Sequence, residues 1–266
     1  MFKRVIWPVI FIGSLLLIVI FISGLLASLV ITSTQERNDE MSGGKNQQEQ
    51  KAVVIQEDEY KQVLLLGDSL AMGIGDELGK NLGERYVELS ENESDESKWK
   101  VVNLSVPGSQ SNEWVRLLED NFTIDFLRTA DLIFLSIGGN NIKEIYEGES
   151  IAGLIEYEEK LNDYLSDIQL ILDSIDKLNP SAQVVFIGLY NPYGASIGDQ
   201  KIQLLLEWNH ETQLRVDEKA NRVYVPTYDL FKYHQDRYLS LDDFHPNEEG
   251  YAAIASRIYE VLGKKK

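Results

Sequence analysis

The sequence predicts an α/β fold, a three-layer α/β/α sandwich with a central, mostly parallel five-stranded sheet, preceded by one N-terminal transmembrane helix. Apolar runs of strand length alternate with helical patterns along the chain, which is typical of a parallel sheet flanked by helices. The runs are continuously apolar, as in strands that are buried on both faces. A long uncharged segment near the start of the chain predicts the transmembrane helix.

Residues 5–31 contain no charged side chain and are dominated by Ile, Leu, Val and Phe. The segment exceeds the roughly 20 residues that a helix needs to cross a bilayer, and no A-x-A-like cleavage site follows it. We therefore expect residues 1–31 to be a single-pass anchor in the cell membrane. Because Lys3 and Arg4 precede the segment, the positive-inside tendency places the N-terminus in the cytoplasm and the rest outside. The alternative is secretion after cleavage of a signal peptide.

The remainder of the chain divides into two parts by composition. Residues 32–59 are polar and rich in Gln and Glu, which is typical of a flexible stalk. Residues 60–266 carry the alternating apolar runs, and we expect them to form one globular domain. Of the possible oligomeric states, we favour a monomer. The hydrophobic content of 44% is ample for a core of that size.

Composition excludes several classes of function. Asp and Glu outnumber Lys and Arg by 43 to 25, giving a net charge of −18, and this excludes nucleic acid as a partner. The absence of cysteine excludes disulfides, thiolate metal sites and a cysteine nucleophile. The chain has three histidines and no H-E-x-x-H pattern, so we expect no metal site and no cofactor.

The strands and helices can be placed from the runs and their flanking Gly, Pro and Asn residues. The strand candidates are 62–66, 100–104, 131–137, 183–189 and 222–225. The helix candidates are 112–119, 155–178, 199–220 and 247–262. The polar stretch 90–98 is expected to be a solvated loop.

Small and polar residues follow the predicted strands, where ligand sites of parallel α/β sheets gather. Ser69 follows the first strand, Gly108 the second, Asn140 the third and the segment 190–194 the fourth. Ser69 is open to two interpretations, a nucleophile or a helix cap, since both require a small hydroxyl residue directly after a buried strand.

Acyl transfer by a serine enzyme requires a hydroxyl, an imidazole base, a carboxylate that orients the imidazole, and donors for the oxyanion. His210 lies in an amphipathic helical pattern and His234 in a polar, aromatic stretch, so both are interpreted as structural or surface residues. His245 follows Asp242 by three residues, and a tight turn can bring that carboxylate to one ring nitrogen. Asp243 is the competing orienter. Alone, the segment favours a simple polar turn in which Asn247 caps the last helix.

The chain resembles the GDSL or SGNH hydrolase superfamily over roughly residues 63–262. Four blocks in the family's order carry the resemblance: Gly-Asp-Ser-Leu at 67–70, Gly108 in NLSVPGSQS, Gly-Gly-Asn-Asn at 138–141, and Asp-Asp-Phe-His at 242–245. A lone GDSL is a weak signal, whereas four ordered blocks at predicted strand ends or before the last helix are a strong one. The resemblance implies a flavodoxin-like SGNH hydrolase fold and a serine ester hydrolase of the lipase/acylhydrolase, lysophospholipase-like branch.

The resemblance also implies the role of each residue. Ser69 would be the nucleophile, His245 the general base and then the acid, and Asp242 the orienter of His245. The oxyanion would be held by the backbone N–H groups of Ser69 and Gly108 and by the side-chain amide of Asn140. Asp68 is assigned to fixing the turn rather than to acid chemistry.

Two positions depart from the family's pattern: Ala71 stands where many relatives have Thr or Ser, and Asn141 stands where Asp is usual. These departures concern neighbouring hydrogen bonds and substrate preference rather than the reaction itself. The segment GLYNPYG at 188–194 looks like a stretch of the lipase/acylhydrolase branch. Tyr190, Asn191 and Tyr193 are therefore expected to line the acyl pocket, with a structural turn fixed by proline as the alternative.

We expect an extracytoplasmic enzyme that cleaves a carboxylic ester or thioester through an acyl-enzyme on Ser69. Lipids or lysolipids of the same membrane are expected substrates, and an O-acetyl esterase acting on cell-wall glycans is the alternative. A different class of function is a surface binding protein that keeps the fold without its reaction. An α/β-hydrolase elbow, G-x-S-x-G, is excluded because Ala71 stands two positions after Ser69.

Overall fold

The structure is a computed structural model that describes residues 60–92, 98–147 and 152–263. The predicted membrane anchor and the predicted stalk lie outside the described residues. Within the described ranges, no helix is both long and apolar enough to cross a bilayer.

A five-stranded parallel sheet forms the centre of the described domain, as predicted. Its strands follow one another in space in the order β2-β1-β3-β4-β5. Their bounds are β1 Tyr60–Gly67, β2 Lys98–Asn103, β3 Leu132–Ser136, β4 Gln183–Ile187 and β5 Arg222–Val225. Each predicted strand is present, and the last has the predicted bounds.

Helices connect and cover the strands. Their bounds are α1 Ser69–Met72, α2 Leu82–Asn92, α3 Ser111–Leu117, α4 Asn121–Thr129, α5 Gly139–Glu147, α6 Ala152–Leu178, α7 Asp199–Val216, α8 Tyr228–Phe231, α9 Gln235–Tyr238 and α10 Glu248–Gly263, with a 3₁₀ turn at Gly194–Ile197. The four predicted helices are confirmed as α3, α6, α7 and α10, with shifted ends. The prediction of a loop at 90–98 was wrong at both ends, because α2 continues to Asn92 and β2 begins at Lys98.

Two apolar layers enclose the sheet. On one face, Leu64 and Leu66 of β1 pack with the buried side chains of α3, α6 and α7, including Trp114 and Trp208. On the other face, Val63 and Leu65 pack with α2 and α10. Burying one leucine or valine side chain stabilises a fold by roughly 1.5–3 kcal/mol. The continuous apolar runs are therefore explained by burial on both faces.

The parallel register brings the carboxyl ends of the strands together. Gly67 at the end of β1 lies beside Ser136 at the end of β3, and Leu65 lies beside Asn103 of β2. The loops that carry the predicted site residues therefore leave the sheet on the same side, at the carboxyl ends of the strands. β2 is an outer strand of the sheet, and its exposed side chains include Lys98 and Lys100.

Candidate active site

Ser69 begins helix α1 immediately after β1. The turn between them requires glycine at position 67, where φ is +132° and an added Cβ would lie 1.8 Å from the carbonyl oxygen of Ser136. The carboxylate of Asp68 accepts a hydrogen bond from the Leu70 N–H at 3.0 Å, which caps the helix. The cap interpretation of Ser69 is therefore wrong: Asp68 fills that role, and the Ser69 hydroxyl points elsewhere.

The Ser69 hydroxyl faces the imidazole of His245. Ser69 Oγ and His245 Nε2 are 2.9 Å apart, and His245 Nδ1 lies 2.6 Å from Asp242 Oδ2. Because an ionised carboxylate can only accept hydrogen bonds, Nδ1 carries the hydrogen of the neutral ring and Nε2 is left to accept from the Ser69 hydroxyl. The geometry has the order hydroxyl, imidazole, carboxylate that acyl transfer requires.

The carboxylate of Asp242 is held in its ionised form. Its partial burial opposes ionisation, but hydrogen bonds from His245, Ser240 and the backbone N–H groups of His245 and Phe244 outweigh burial and keep the pKa of Asp242 well below its usual range. The three bonds to Oδ1 measure 2.7 Å from Ser240 Oγ and 2.9 Å from each N–H. Asp242 is thus both the orienter of His245 and the centre of the turn that carries it.

Asp243, the competing orienter, has a different position. It adopts φ of +55°, a left-handed conformation in which Asp is tolerated better than most residues, and its N–H donates to the Ser240 carbonyl at 3.0 Å. The turn is closed by the Ser240 N–H, which donates to the His245 carbonyl at 2.8 Å. Of the two neighbouring carboxylates, the structure brings Asp242 to the ring.

Gly75 packs against the turn that carries His245. Its φ is +96°, and an added Cβ would lie 2.5 Å from the Pro246 carbonyl oxygen and 2.9 Å from His245 Cβ. The backbone after α1 therefore touches the residue that carries the imidazole. No sequence pattern signals this contact, because Gly75 looks like one more glycine of a turn.

The predicted oxyanion donors lie on neighbouring loops. Asn140 is in the first turn of α5, and its Nδ2 donates to the Ser109 carbonyl at 2.9 Å. One of its two amide hydrogens is used there, which leaves the second for a ligand. Ser69 and Asn140 both line the same cavity, together with His245.

Gly108 lies one residue before the carbonyl that Asn140 binds. Its φ is +83°, and an added Cβ would have no heavy atom within 4 Å. The left-handed backbone, rather than crowding by protein atoms, is therefore the structural reason for glycine at this position. The Ser109 side chain fixes the loop, since its hydroxyl donates to the Gly67 carbonyl at 3.1 Å, and the Trp114 indole N–H donates to the same carbonyl at 3.0 Å.

An apolar cavity of about 60 Å³ opens beside Ser69. Its apolar lining comes from α1, α5, the loop after β4, α7 and the His245 turn: Leu70, Ile142, Tyr146, Leu189, Leu205 and Phe244. Leu205 and Ile142 are almost wholly buried, so the cavity reaches inward toward the core. Such a pocket accommodates an apolar group attached to the atom that faces Ser69.

Of the residues predicted to line this cavity, Tyr190 and Tyr193 do so. Asn191 does not: its amide donates to the Gly194 carbonyl at 2.7 Å and its oxygen accepts from the Tyr193 N–H at 3.0 Å. The prediction for Asn191 was wrong because the side chain stabilises the turn internally. Tyr190 also supports the catalytic turn, since its hydroxyl donates to the Phe244 carbonyl at 2.7 Å.

Asp68 is buried at the wall of the cavity. Burial raises the pKa of Asp68 to about 7, against the opposing effect of hydrogen bonds from the Leu70 N–H and the Ser136 hydroxyl. The carboxyl groups of Asp68 and Asp242 thus have pKa values displaced in opposite directions.

The departures from the family's pattern have local explanations. Ala71 is fully buried against the apolar layer shared with α10, where a hydroxyl would have to find a partner. Asn141 makes two hydrogen bonds to Ser111. His210 and His234 are both exposed, and the His234 ring lies 3.2 Å from the Leu230 carbonyl.

Comparison with known proteins agrees with this arrangement. The model of the GDSL-like Lipase/Acylhydrolase family matches residues 65–253. An uncharacterized protein of Bacillus subtilis strain 168, YpmR, is 29% identical over 214 residues, which cover 78% of this chain and 83% of the relative. The spore germination lipase LipC of Bacillus licheniformis is 27% identical over 206 residues, covering 74% of this chain and 94% of LipC.

Solved structures show the same fold. The lipase Lip_vut3 from a goat rumen metagenome superposes with a TM-score of 0.67 at 24% identity, over 75% of this chain and 96% of the lipase. The acetylxylan esterase Axe2 of Geobacillus stearothermophilus superposes with a TM-score of 0.60 at 17% identity, over 76% of this chain and 94% of the esterase. Both place the described domain in the α/β fold of these hydrolases.

Proposed function

The chain belongs to the GDSL-like lipase/acylhydrolase family, a family of serine hydrolases of carboxylic esters, and from this premise we propose that it forms an acyl-enzyme on Ser69. The observation that carries the proposal is the continuous series of hydrogen bonds from the Ser69 hydroxyl through His245 to Asp242. The ester carbonyl would lie over Ser69 Oγ, with its acyl chain in the apolar cavity.

In the first step, Ser69 Oγ attacks the ester carbonyl carbon while its proton moves to His245 Nε2. Asp242 stabilises the imidazolium that forms, since its carboxylate is already bound to Nδ1. The carbonyl oxygen becomes an oxyanion. The intermediate then collapses, the alcohol leaves with the proton from Nε2, and the acyl group remains on Ser69.

The oxyanion would accept hydrogen bonds from the backbone N–H groups of Ser69 and Gly108 and from the second amide hydrogen of Asn140. Donors that are fixed before the reaction stabilise the transition state without reorganising, and each is worth about 3–4 kcal/mol in serine enzymes. The Ser109 carbonyl supports this role of Asn140, because it holds the amide in one orientation.

In the second step, a water molecule replaces the alcohol. His245 Nε2 takes its proton, the hydroxide oxygen attacks the acyl carbon, and a second oxyanion forms in the same place. Its collapse releases the carboxylic acid and returns the proton to Ser69 Oγ. The atoms balance as ester plus water giving alcohol plus acid.

The cavity supports a short acyl chain. One water requires roughly 10–15 Å³ of such space, so about 60 Å³ beside Ser69 accommodates a few carbons of an acyl chain, in a cavity that is partly open. The proteins similar to this chain include one named a lipase and one named an acetylxylan esterase, and both names are consistent with a carboxylic ester substrate. We propose a substrate with a short, apolar acyl chain.

The proposal is tested with p-nitrophenyl esters from acetyl to dodecanoyl and the variant Ser69→Ala. We expect Ser69→Ala to lose essentially all turnover, while Ser256→Ala, a matched change on an exposed face of α10, keeps it. We also expect kcat/KM to be highest for chains of a few carbons. Full activity in Ser69→Ala would exclude the acyl-enzyme, and a maximum at dodecanoyl would exclude the short-chain substrate.

A second readout does not depend on the choice of ester. A serine-reactive fluorophosphonate is expected to label the wild type on Ser69 and to leave Ser69→Ala unlabelled. Folded wild-type protein that resists both the reagent and every ester would support the alternative of a binding protein.

A further inference from the structure

Two segments carry the predicted oxyanion donors, and four hydrogen bonds join them. Residues 108–111 provide Gly108, and residues 139–141 provide Asn140. The bonds run from Asn140 Nδ2 to the Ser109 carbonyl at 2.9 Å, from Gln110 Nε2 to the Asn140 carbonyl at 3.3 Å, from the Ser111 N–H to Asn141 Oδ1 at 3.2 Å, and from Asn141 Nδ2 to Ser111 Oγ at 2.9 Å. Half of these bonds belong to the side chain of Asn141.

The Ser111 hydroxyl fixes the orientation of that side chain. Ser111 is fully buried, and its Oγ lies 2.7 Å from Asp167 Oδ2 of helix α6. A carboxylate only accepts, so the single hydroxyl hydrogen goes to Asp167, and Ser111 Oγ must accept from its other neighbour. Asn141 supplies that donor through Nδ2, while its Oδ1 accepts from the Ser111 N–H.

This arrangement accounts for Asn141 where the resemblance implies Asp. With Asp at position 141, two carboxylates would contact the Ser111 hydroxyl, which has only one hydrogen to donate. One of the two acceptors would lack a donor, and two negative charges would face each other across a buried oxygen. Asn141 and Asp167 are therefore complementary: one donates to Ser111 Oγ and the other accepts from it.

We propose that Asn141 is a positioning residue, an inference that rests on the proposed function. Through Ser111 and Asp167, it sets the separation between the Gly108 N–H and the Asn140 amide. Asn141 follows Asn140 directly, and Ser111 lies three residues after Gly108. A shift between the two segments moves one oxyanion donor relative to the other. Useful donors lie within about 2.7–3.1 Å of the oxyanion, so the separation must be held closely.

The expected effect is on kcat rather than on KM. Contacts that are made only in the transition state lower kcat when they are disturbed, while ground-state binding is little changed. A displacement of about 1 Å costs on the order of a hundredfold in rate. The cavity that receives the acyl chain is lined by other residues and is left intact.

The test is an exchange of the two side chains. We expect Asn141→Asp to lower kcat about tenfold to a hundredfold with KM within about twofold. Asp167→Asn is expected to stay within about threefold of wild type, because an amide oxygen can still accept from the Ser111 hydroxyl. In the double variant, the new carboxylate at position 141 accepts from Ser111 and the new amide at position 167 donates to it. Its kcat should therefore return to within about threefold of wild type.

Asn112→Asp is the matched control. It adds the same charge on α3 next to Ser111, on an exposed residue, and is expected to keep wild-type kcat. All variants are measured below their melting temperatures, with active sites counted by fluorophosphonate. If Asn141→Asp does not fold, Asn141→Ala takes its place and must lower kcat with KM unchanged.

Two results would overturn the inference: wild-type kcat in Asn141→Asp or its alanine substitute, or a double variant no faster than Asn141→Asp. Failure of the proposed function looks different, because the wild type would then hydrolyse esters no faster than Ser69→Ala.

Discussion

His245 Nε2 lies 2.9 Å from Ser69 Oγ, although 176 positions of sequence separate the two residues. Local hydrogen bonds fix each residue. Asp68 caps helix α1 and so positions Ser69, and the turn around the Asp242 carboxylate positions His245. The contact therefore joins two preformed units, and changes to either unit should be separable from changes to the fold.

The Asp242 carboxylate is expected to determine which ring nitrogen carries the hydrogen. In Asp242→Asn, the amide can donate to Nδ1, which moves the hydrogen to Nε2 and removes the acceptor for Ser69. We expect kcat to fall about 10⁴-fold, the loss seen for this change in a serine protease. Asp243→Asn is the neighbouring control and should stay near wild type. Equal losses of ester turnover in both variants would contradict the assignment.

Gly75 is expected to matter through its contact with His245. In Gly75→Ala, the new Cβ must displace the Pro246 carbonyl and His245 Cβ, which moves the imidazole from Ser69. Gly79→Ala introduces the same left-handed strain, with φ of +66°, but no atom lies within 4 Å of its Cβ. We expect Gly79→Ala to lose about 1–2 kcal/mol of stability and Gly75→Ala to lose more, because its Cβ also displaces backbone atoms. Only Gly75→Ala is expected to lose about tenfold or more in kcat. Similar kcat values in the two variants would exclude the contact of Gly75 with His245 as a determinant of the imidazole position.

Leu205 is expected to limit the length of the acyl chain. Leu205→Ala enlarges the inner part of the cavity, so the ratio of kcat/KM for octanoyl over acetyl ester should rise about tenfold. Leu161→Ala removes a comparable core side chain of α6 that does not line the cavity, and its ratio should be unchanged. Both changes cost roughly 2–5 kcal/mol, so the ratio within each variant is the quantity to compare.

Asp68 is expected to make stability fall as pH rises. Its pKa is about 7 in the folded protein and 3.8 is its ordinary value, so the folded state binds more protons between these limits. Below about pH 3.8 the Asp68 carboxyl is protonated in both the folded and the unfolded state, and its contribution to the free energy of unfolding is fully present. As the pH rises to about 7, the unfolded state ionises first, and the free energy of unfolding falls by a total on the order of 4 kcal/mol. The melting temperature of Asp68→Asn relative to wild type should therefore increase from pH 4 to pH 8.

Asp236→Asn is the control for this measurement, because Asp236 is exposed. Its melting temperature relative to wild type should not follow the same trend. A pH-independent difference for Asp68→Asn would mean that the buried carboxyl stays ionised in the folded protein.

The sheet could be predicted from sequence because its strands are buried on both faces and appear as continuous apolar runs. The helices α1, α2, α4, α5, α8 and α9 were missed. Each has between 4 and 11 residues, which is too few turns for a helical period to stand out from the neighbouring strands and loops. Helix α7 ends at Val216 rather than at the predicted residue 220. The chain there turns to begin β5, and its polar residues give no clear end signal.

The candidate site was predictable where it is local in sequence. Asp242 and His245 are three residues apart, and Ser69 follows its strand directly, so patterns identify them. Phe244 lies inside the same segment and could have been predicted to line the cavity. Asp167 could not, because its bond to Ser111 spans 56 positions and no pattern near either residue indicates the pairing.

The outer position of β2 in the sheet has a consequence for the protein in concentrated solution. An outer strand offers unpaired backbone groups to the strands of other molecules, and charged side chains oppose that pairing. Lys98 and Lys100 stand on the exposed side of β2, so two copies that approached edge to edge would bring like charges together. We therefore expect these lysines to oppose aggregation through the strand that lies farthest from β5 in the sheet.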